Sequence, residues 1–336
     1  MRKATIVNQA RLHCGYHYPR SIATAQMSNE HRHRFAREHE SYINKSFKQY
    51  YAVTKDSSFT SSARFEKFCH YLDIKCEKTE SPEFSNDRYI TRFYLTEEAS
   101  FDPIQIAHHY RKKLLSNDSI DLFLGTKIDK VEAVGDQWEV SIRNGKTAVH
   151  KLSAQSAINA TYFNINHINA LFNQPMLELV HELTEMAFFN SPELHNVGLT
   201  VMDGPFAGFM PYGNSSVHSL YSVLYSTHHR ATQHPLFPCQ ELQPNCSPNR
   251  TAICNHCPSQ PRSNSKKMIR QMKKYLREDI DLSYLHSMYT IRTKLASSFI
   301  DDSRPTSIQL LSEDPAFYLL LAGKINSIYE IEKFIR

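Results

Sequence analysis

Glycine is scarce in this chain, at nine of 336 residues. Turns that cradle phosphates use glycine because the backbone must approach the ligand closely and adopt positive φ. Neither G-x-G-x-x-G nor G-x-x-x-x-G-K-[ST] occurs, so the usual nucleotide-binding fingerprints are excluded. No apolar run approaches the roughly 18 residues that a membrane helix needs. The opening MRKATIVNQAR lacks the apolar stretch of a secretory signal, which makes the cytoplasm the expected compartment. An excess of one charge is missing too. The net charge is +5, with Lys and Arg interleaved among acids, a pattern that argues against a nucleic-acid partner. G-x-S-x-G and a Cys/His nucleophile signature are absent. Seven cysteines, an odd number without an export signal, point to thiols rather than a disulfide framework.

What is present suits a folded α/β chain, with 41% hydrophobic and 22% charged residues. The spacing of Phe35, Tyr42, Ile43 and Phe47 predicts one helix from Ser28 leading into a strand, YYAVTK. SSARFEKFCHYLDI reads as a helix capped by Ser61 or Ser62, and RYITRFYLTEEASF as a strand. In FDPIQIAHHYRKKLLSN, Asp102 suits a helix N-cap and Pro103 its first position. Three strands broken by Gly125, Gly135 and Gly145 predict a meander that ends in AINAT. LELVHELTEMAFF has helical spacing, whereas VGLTVMDGPFAGFMPYG and SVHSLYSVLYSTHH read as strands. Residues 230–267 are rich in proline and serine and read as a loop or insertion. SKKMIRQMKKYLREDI predicts an amphipathic helix with Met268, Met272, Tyr275 and Leu276 inward. The chain closes as strand, strand, Gly323 turn and helix.

Several clusters bear chemistry. Cys239, Cys246, Cys254 and Cys257 share the loop, and a C-x-x-C with two further thiolates satisfies tetrahedral zinc, although only one pair has tight spacing. Free thiols in a loop are the other reading. The His31–Arg34 and His228–Arg230 runs read as solvated faces. The opening segment NQARLHCGYHYPRSIATA gathers amide, guanidinium, imidazole and phenol groups around Gly15. Polar motifs elsewhere abut apolar strands, where α/β enzymes place ligand contacts. They lie near Ile158, Asp203, Tyr289 and Gly323.

Four of these segments, in order, resemble the FAD-dependent oxidoreductases of the D-amino-acid-oxidase superfamily, in particular its 2-hydroxyglutarate-oxidase-like branch. Asn8, His13, Gly15 and Tyr18 match the segment that passes the flavin, and Ala157–Thr161 match the V-[IV]-N-A-[TA] strand. Thr126–Val131 match the strand near adenine, and Ala322–Ile325 match the glycine turn by the flavin ring. The resemblance implies an α/β (α+β) fold. Its Rossmann-like FAD-binding domain is incomplete at its N-terminus and is interleaved with an antiparallel-sheet substrate domain. The expected FAD-binding parts are residues 1–30, 100–170 and 285–336; residues 31–99 and 171–284 form the substrate side. The family's first strand, G-x-G-x-x-G and helix are not found before Asn8, which leaves three expectations: a shortened gene model, a split enzyme completed by another chain, or a decayed relative.

The resemblance implies FAD as cofactor, held by Asn8, Gln9, His13, Gly15, Val131, Asn159, Ala160, Thr161, Gly323 and Lys324. The implied reaction removes hydride from a C–H next to an amine or hydroxyl of a small carboxylate. Arg292, then Arg304, are the candidate carboxylate clamps, because a guanidinium matches that geometry. His17 is the candidate proton acceptor, with His13 packing beside the flavin. A truncated non-catalytic remnant or partner subunit of a split flavoprotein, and a zinc-stabilised binding protein, are the alternative readings.

Overall fold

A computed structural model describes residues 3–84, 88–144, 148–299 and 303–334. The expected turn at Gly145, and Asp301 and Asp302 before Arg304, lie outside the described residues. The main sheet has nine strands. Its longest buried strand is Leu179–Asn190, second from one edge, with all but the last residue buried. Ser283–Leu295 pairs antiparallel along one whole edge of that strand. The other edge is shared between Thr227–Thr232 and His218–Ser222. From His218–Ser222 the sheet continues through Ala207–Pro211, Val197–Val201, Lys48–Thr54 and Ile90–Thr96 to Cys76–Thr79. Val197–Val201 and Lys48–Thr54 run parallel; their neighbours are antiparallel.

Helices cover the sheet. Ser265–Lys273 lays Met268 and Met272, both fully buried, on a core with Leu199, Phe209 and Leu220. Ser62–Tyr71 packs Phe65, Phe68 and Cys69 against Tyr51 and Tyr94. Its cap is Ser61, whose hydroxyl accepts from Arg64 N at 3.3 Å. Asp102 caps Pro103–Leu115 as the sequence predicts, accepting from Ile104 N and Gln105 N at 3.0 and 2.9 Å.

Three small sheets accompany the main one among the described residues, one of them pairing Ala99–Phe101 with Arg11–Leu12 and Ile43–Asn44. Thr126–Val134, Gln137–Asn144 and Ala148–Ala154 form the expected meander. Gly125 and Gly135 supply its positive φ. Ser156–Asn159, the AINAT strand, runs parallel to Ala316–Leu321, which pairs in turn with Ser307–Glu313. Among the described residues nothing pairs with the second edge of Ser156–Asn159, and Ile158 is 48% exposed.

Four sequence readings are corrected. LELVHELTEMAFF is a strand, not a helix: its apolar positions satisfy a helical period, but its acids are buried and paired rather than wet. Glu182 is bound by Arg292 Nη2 at 2.5 Å, Arg230 Nε at 3.0 Å and Lys294 Nζ at 3.6 Å. Glu185 accepts from His228 Nε2 at 2.8 Å and from Asn264 N at 2.9 Å. Within the His228–Arg230 run, His228 is therefore withdrawn from solvent onto Glu185, whereas His229 and Arg230 are exposed as expected, Arg230 still reaching the buried Glu182. His31 also has a partner, Glu330, at 2.6 Å, and it separates two helices, Ile22–Glu30 and Arg32–Glu38, where one was expected. The C-terminal helix is instead a 3-10 stretch, Ile325–Lys333. There Ser327 Oγ bonds to Lys324 O and Asn326 reaches Ser28 O, side-chain bonds that compete with an α-helical ladder.

The Glu182 carboxyl is held at about 2, below its ordinary 4.5. Burial opposes the charged form, but Arg292, Lys294 and Arg230 outweigh it. A depressed carboxyl contributes stability above its unfolded value and loses it as the pH falls. About 3 kcal/mol should therefore disappear between pH 4.5 and 2. Urea titrations of wild type and Glu182→Gln should show a wide gap above pH 4.5 that closes towards pH 2. A gap independent of pH would refute the assignment.

Candidate functional site

The opening segment is fixed before it can line anything. Asn8 Oδ1 accepts from Ala10 N at 2.6 Å while its amide donates to Ala4 O and Thr5 O, closing a local turn. Arg11–Leu12 then forms a short strand against Ala99–Phe101. Arg11 is buried between Glu98, which its Nη1 contacts, Tyr51 Oη at 2.7 Å and Thr200 Oγ1 at 2.8 Å. Tyr51 also donates to Glu98 at 2.6 Å. Tyr16 and Tyr18 are buried in the core with Tyr51 and Phe65. Much of the stretch that reads as a ligand wall is thus interior.

His13 and His17 are the exceptions. Both are partly buried, and the Nδ1 of each has no hydrogen-bond partner among the described residues. Their rings sit 6.0 Å apart and flank Tyr18, at 5.7 and 5.3 Å between centroids. Lys324 Nζ lies 4.3 Å over the same Tyr18 ring. Burial pushes the His13 imidazole well below its ordinary value, and the charges of Lys324, Arg11 and Arg304 add to that. Burial, then Arg11, Arg304, Lys324 and Arg292, do the same at His17. Both rings are neutral at neutral pH and sit among cations, with Glu98 Oε1 3.8 Å from His13 Nδ1.

A cavity of about 40 Å³ lies among these cations, lined by Arg292, Arg304 and Gly323 among others. Three of the candidate residues thus line one cavity. Arg292 directs Nε and Nη2 to Glu182 at 2.8 and 2.5 Å, so the carboxylate holds its guanidinium in place. Gly323 has no room for a side chain, since a Cβ would stand 2.2 Å from Arg304 O. Its N–H donates to Thr306 Oγ1 at 3.0 Å. Gly15, at φ +108°, would bring a Cβ 3.0 Å from Ala25 O.

The other expected residues separate into two groups. Gln9 donates to Gly208 O at 2.9 Å and borders the Arg11 network. Asn159 is buried and ties Ile165 O and Asn169 Oδ1, both at 2.8 Å, while its carbonyl oxygen accepts from Thr161 Oγ1 at 2.6 Å. Ala160 and Thr161 are exposed beside the open strand edge. Val131 packs with Trp138 and Phe317 in the meander cluster and does not line the cavity. Sequence reasoning missed Glu98 and Glu182, which hold the two arginines. Glu182 is an acid inside an apolar strand pattern, a signal available beforehand, whereas Glu98 sits in the polar connection between Ile90–Thr96 and Ala99–Phe101 and gave none.

No protein-family model matches this sequence, and no curated protein matches it. Solved structures do match in fold. Glycine oxidase from Geobacillus kaustophilus superposes with a TM-score of 0.67 at 10% identity, over 97% of this chain and 80% of that one. L-α-Glycerophosphate oxidase from Mycoplasma pneumoniae, solved with FAD bound, gives 0.67 at 12% identity, over 98% and 83%. L-Proline dehydrogenase from P. horikoshii gives 0.63 at 11%, over 95% and 81%. The chain has the fold of these proteins. At such identities the likeness is one of architecture.

Gly323→Ala should displace the Arg304 carbonyl and cost about 1–3 kcal/mol of stability, as overpacking does. A thermal melt unchanged from wild type would show that this turn is not tightly packed.

Proposed function

We propose that this chain is an FAD-dependent oxidoreductase that removes hydride from a carbon bearing an amine or a hydroxyl beside a carboxylate. The carrying observation is convergence: Arg292, Arg304, Gly323, Lys324, His13 and His17 meet in one positive region of a fold shared with flavin oxidases. Unpartnered buried imidazole nitrogens cost roughly 1–3 kcal/mol each, which supports a polar ligand as their missing partner. The donor set suits the ring end of FAD: neutral imidazoles, an ammonium beside Tyr18, and a glycine turn that allows close approach.

When bound, FAD supplies the hydride acceptor. The protein's residues do the rest. Arg304, with Arg292 beside it, orients the substrate carboxylate. Neutral His17 is able to take the proton from the substrate's amine or hydroxyl. The surrounding cations oppose its protonation, so a carboxylate that offsets them makes His17 a better base; substrate binding and proton acceptance are then coupled. His13 would hydrogen-bond the cofactor's ring, and Lys324 would hold a positive charge beside it.

The enclosed volume is too small for a ring system, so the ring would lie along the exposed Ala160–Thr161 face. A covering unit is then required. The open edge of Ser156–Asn159 and the exposed side chains of Ile120, Leu122, Phe123 and Leu124 support one. We assign this role to a strand, glycine-rich turn and helix that carry the pyrophosphate site, supplied by a separate chain or another segment. Within this reading residues 1–30, 100–170 and 285–336 belong to the cofactor side, and residues 31–99 and 171–284 to the substrate side. The substrate class is a 2-hydroxy or 2-amino acid, with the 2-hydroxyglutarate-oxidase-like branch as the nearest analogy. No described helix is long and apolar enough to cross a membrane. Seven free thiols fit a reducing cytoplasm.

The test is a visible spectrum of the purified chain with FAD, alone and fused to a strand–G-x-G-x-x-G–helix unit. The fusion should co-elute with flavin, and Lys324→Ala and His17→Ala should each weaken binding about tenfold, near 1.4 kcal/mol. A colourless fusion that stays folded by circular dichroism would sink the proposal.

A further inference from the structure

Between the strand Thr227–Thr232 and the helix Ser265–Lys273 the chain has little regular structure. It holds two single 3-10 turns, Pro238–Gln240 and Cys254–His256, and one isolated bridge between Ser247 and Arg250. A loop this long without elements of its own is uncommon in a compact protein and usually carries a function or a cross-link. Four of the seven cysteines lie in it. We infer that Cys239, Cys246, Cys254 and Cys257 bind one zinc ion as four thiolates.

The local geometry prepares the ligands. Cys254 and Cys257 bracket a 3-10 turn closed by Cys257 N to Cys254 O at 3.2 Å, and positions three apart eclipse in such a turn. Cys246 Sγ already accepts from Ala252 N at 3.3 Å and Gln240 Nε2 at 3.7 Å. Donors to sulfur of this kind stabilise a thiolate and orient it on a metal. Cys239 and Cys254 pack on one small cluster with Phe163, Leu183, Phe237 and Ile291, so two distant parts of the loop meet there. Lys3 Nζ is bound to Thr251 O at 2.9 Å, beside Cys254 and Cys246, where a cation offsets the negative charge of a tetrathiolate site.

The sulfurs stand wider than coordination requires. Among the described residues, Glu30, His31 and Glu330 alone bring three ligating atoms within 4.8 Å of one another. Zinc–sulfur bonds near 2.3 Å would draw the four thiols inward. An irregular, half-exposed loop can follow at small cost, whereas buried strands could not. Each thiol gives its proton to solvent as it ligates, and zinc keeps its oxidation state, so nothing else is consumed. The site would staple the loop against Ile291 and Phe237, next to the strand that carries Arg292. It does not depend on the flavin reading.

Metal-stripped full-length protein, titrated with Zn²⁺ alone, should take up one ion per chain. Zinc should then shield Cys239, Cys246, Cys254 and Cys257 from alkylation, read by mass spectrometry, and leave the remaining cysteines unchanged. Co²⁺ in its place should give the visible bands of a tetrahedral thiolate site. Cys254→Ser with Cys257→Ser should weaken zinc binding more than about tenfold, while Cys69→Ser should not. Alkylation of wild type alone decides the matter should the double variant fail to fold. No zinc at one equivalent, unshielded loop thiols, zinc retained unchanged by the double variant, or iron with inorganic sulfide in the isolated protein would each overturn the assignment.

Discussion

One carboxylate sets the register of the main sheet. Glu182 stands directly opposite Arg230 on one neighbouring strand and Arg292 on the other, so both guanidiniums converge on it within a single row. A strand slipped by one residue would turn its side chains to the other face and leave a buried charge unpaired, at a cost of several kcal/mol. Register and charge pairing therefore enforce each other. The same bridge fixes Arg292 at the cavity wall. With Lys294 also present, three cations surround one acid, and the excess positive charge faces Arg304 and Lys324. The positive charge at the cavity wall is thus a by-product of how the sheet is locked.

A second buried pair does the same for the opening segment. Arg11 cannot leave Glu98 and Tyr51 without exposing a desolvated guanidinium, so the backbone from Asn8 to Tyr18 has one position. The two imidazoles that follow are held on a rigid base, with their Nδ1 atoms still unsatisfied. Rigid neighbours and unspent hydrogen-bonding capacity are what a ligand site requires.

Local signals were legible in the sequence; long-range pairing was not. Ser61 and Asp102 cap their helices because the N-cap depends on residues two or three positions away. The meander follows from period-two alternation and glycine turns. LELVHELTEMAFF misleads because in one dimension a buried, paired acid looks the same as a solvated one. Only the sheet brings residues 182, 230 and 292 together. His228 was misread for the same reason, its partner Glu185 lying 43 positions away. The convergence of Arg292, Arg304 and Gly323 was legible only through resemblance, since no periodicity links those positions.

The two ends of the molecule differ in what they need. The main sheet is covered by its own helices, and its strand Leu179–Asn190 is paired on both edges. The three-stranded sheet around Ala316–Leu321 is different: Ser156–Asn159 presents backbone donors and acceptors to solvent along one edge, with Ile158 beside them. Exposed edges of that kind invite another strand. A strand added there would hide Ile158 and raise a wall beside Ala160 and Thr161, next to the positive region. Burial of apolar surface and completion of the site would then be one event, so the free energy that docks the cover also organises the chemistry.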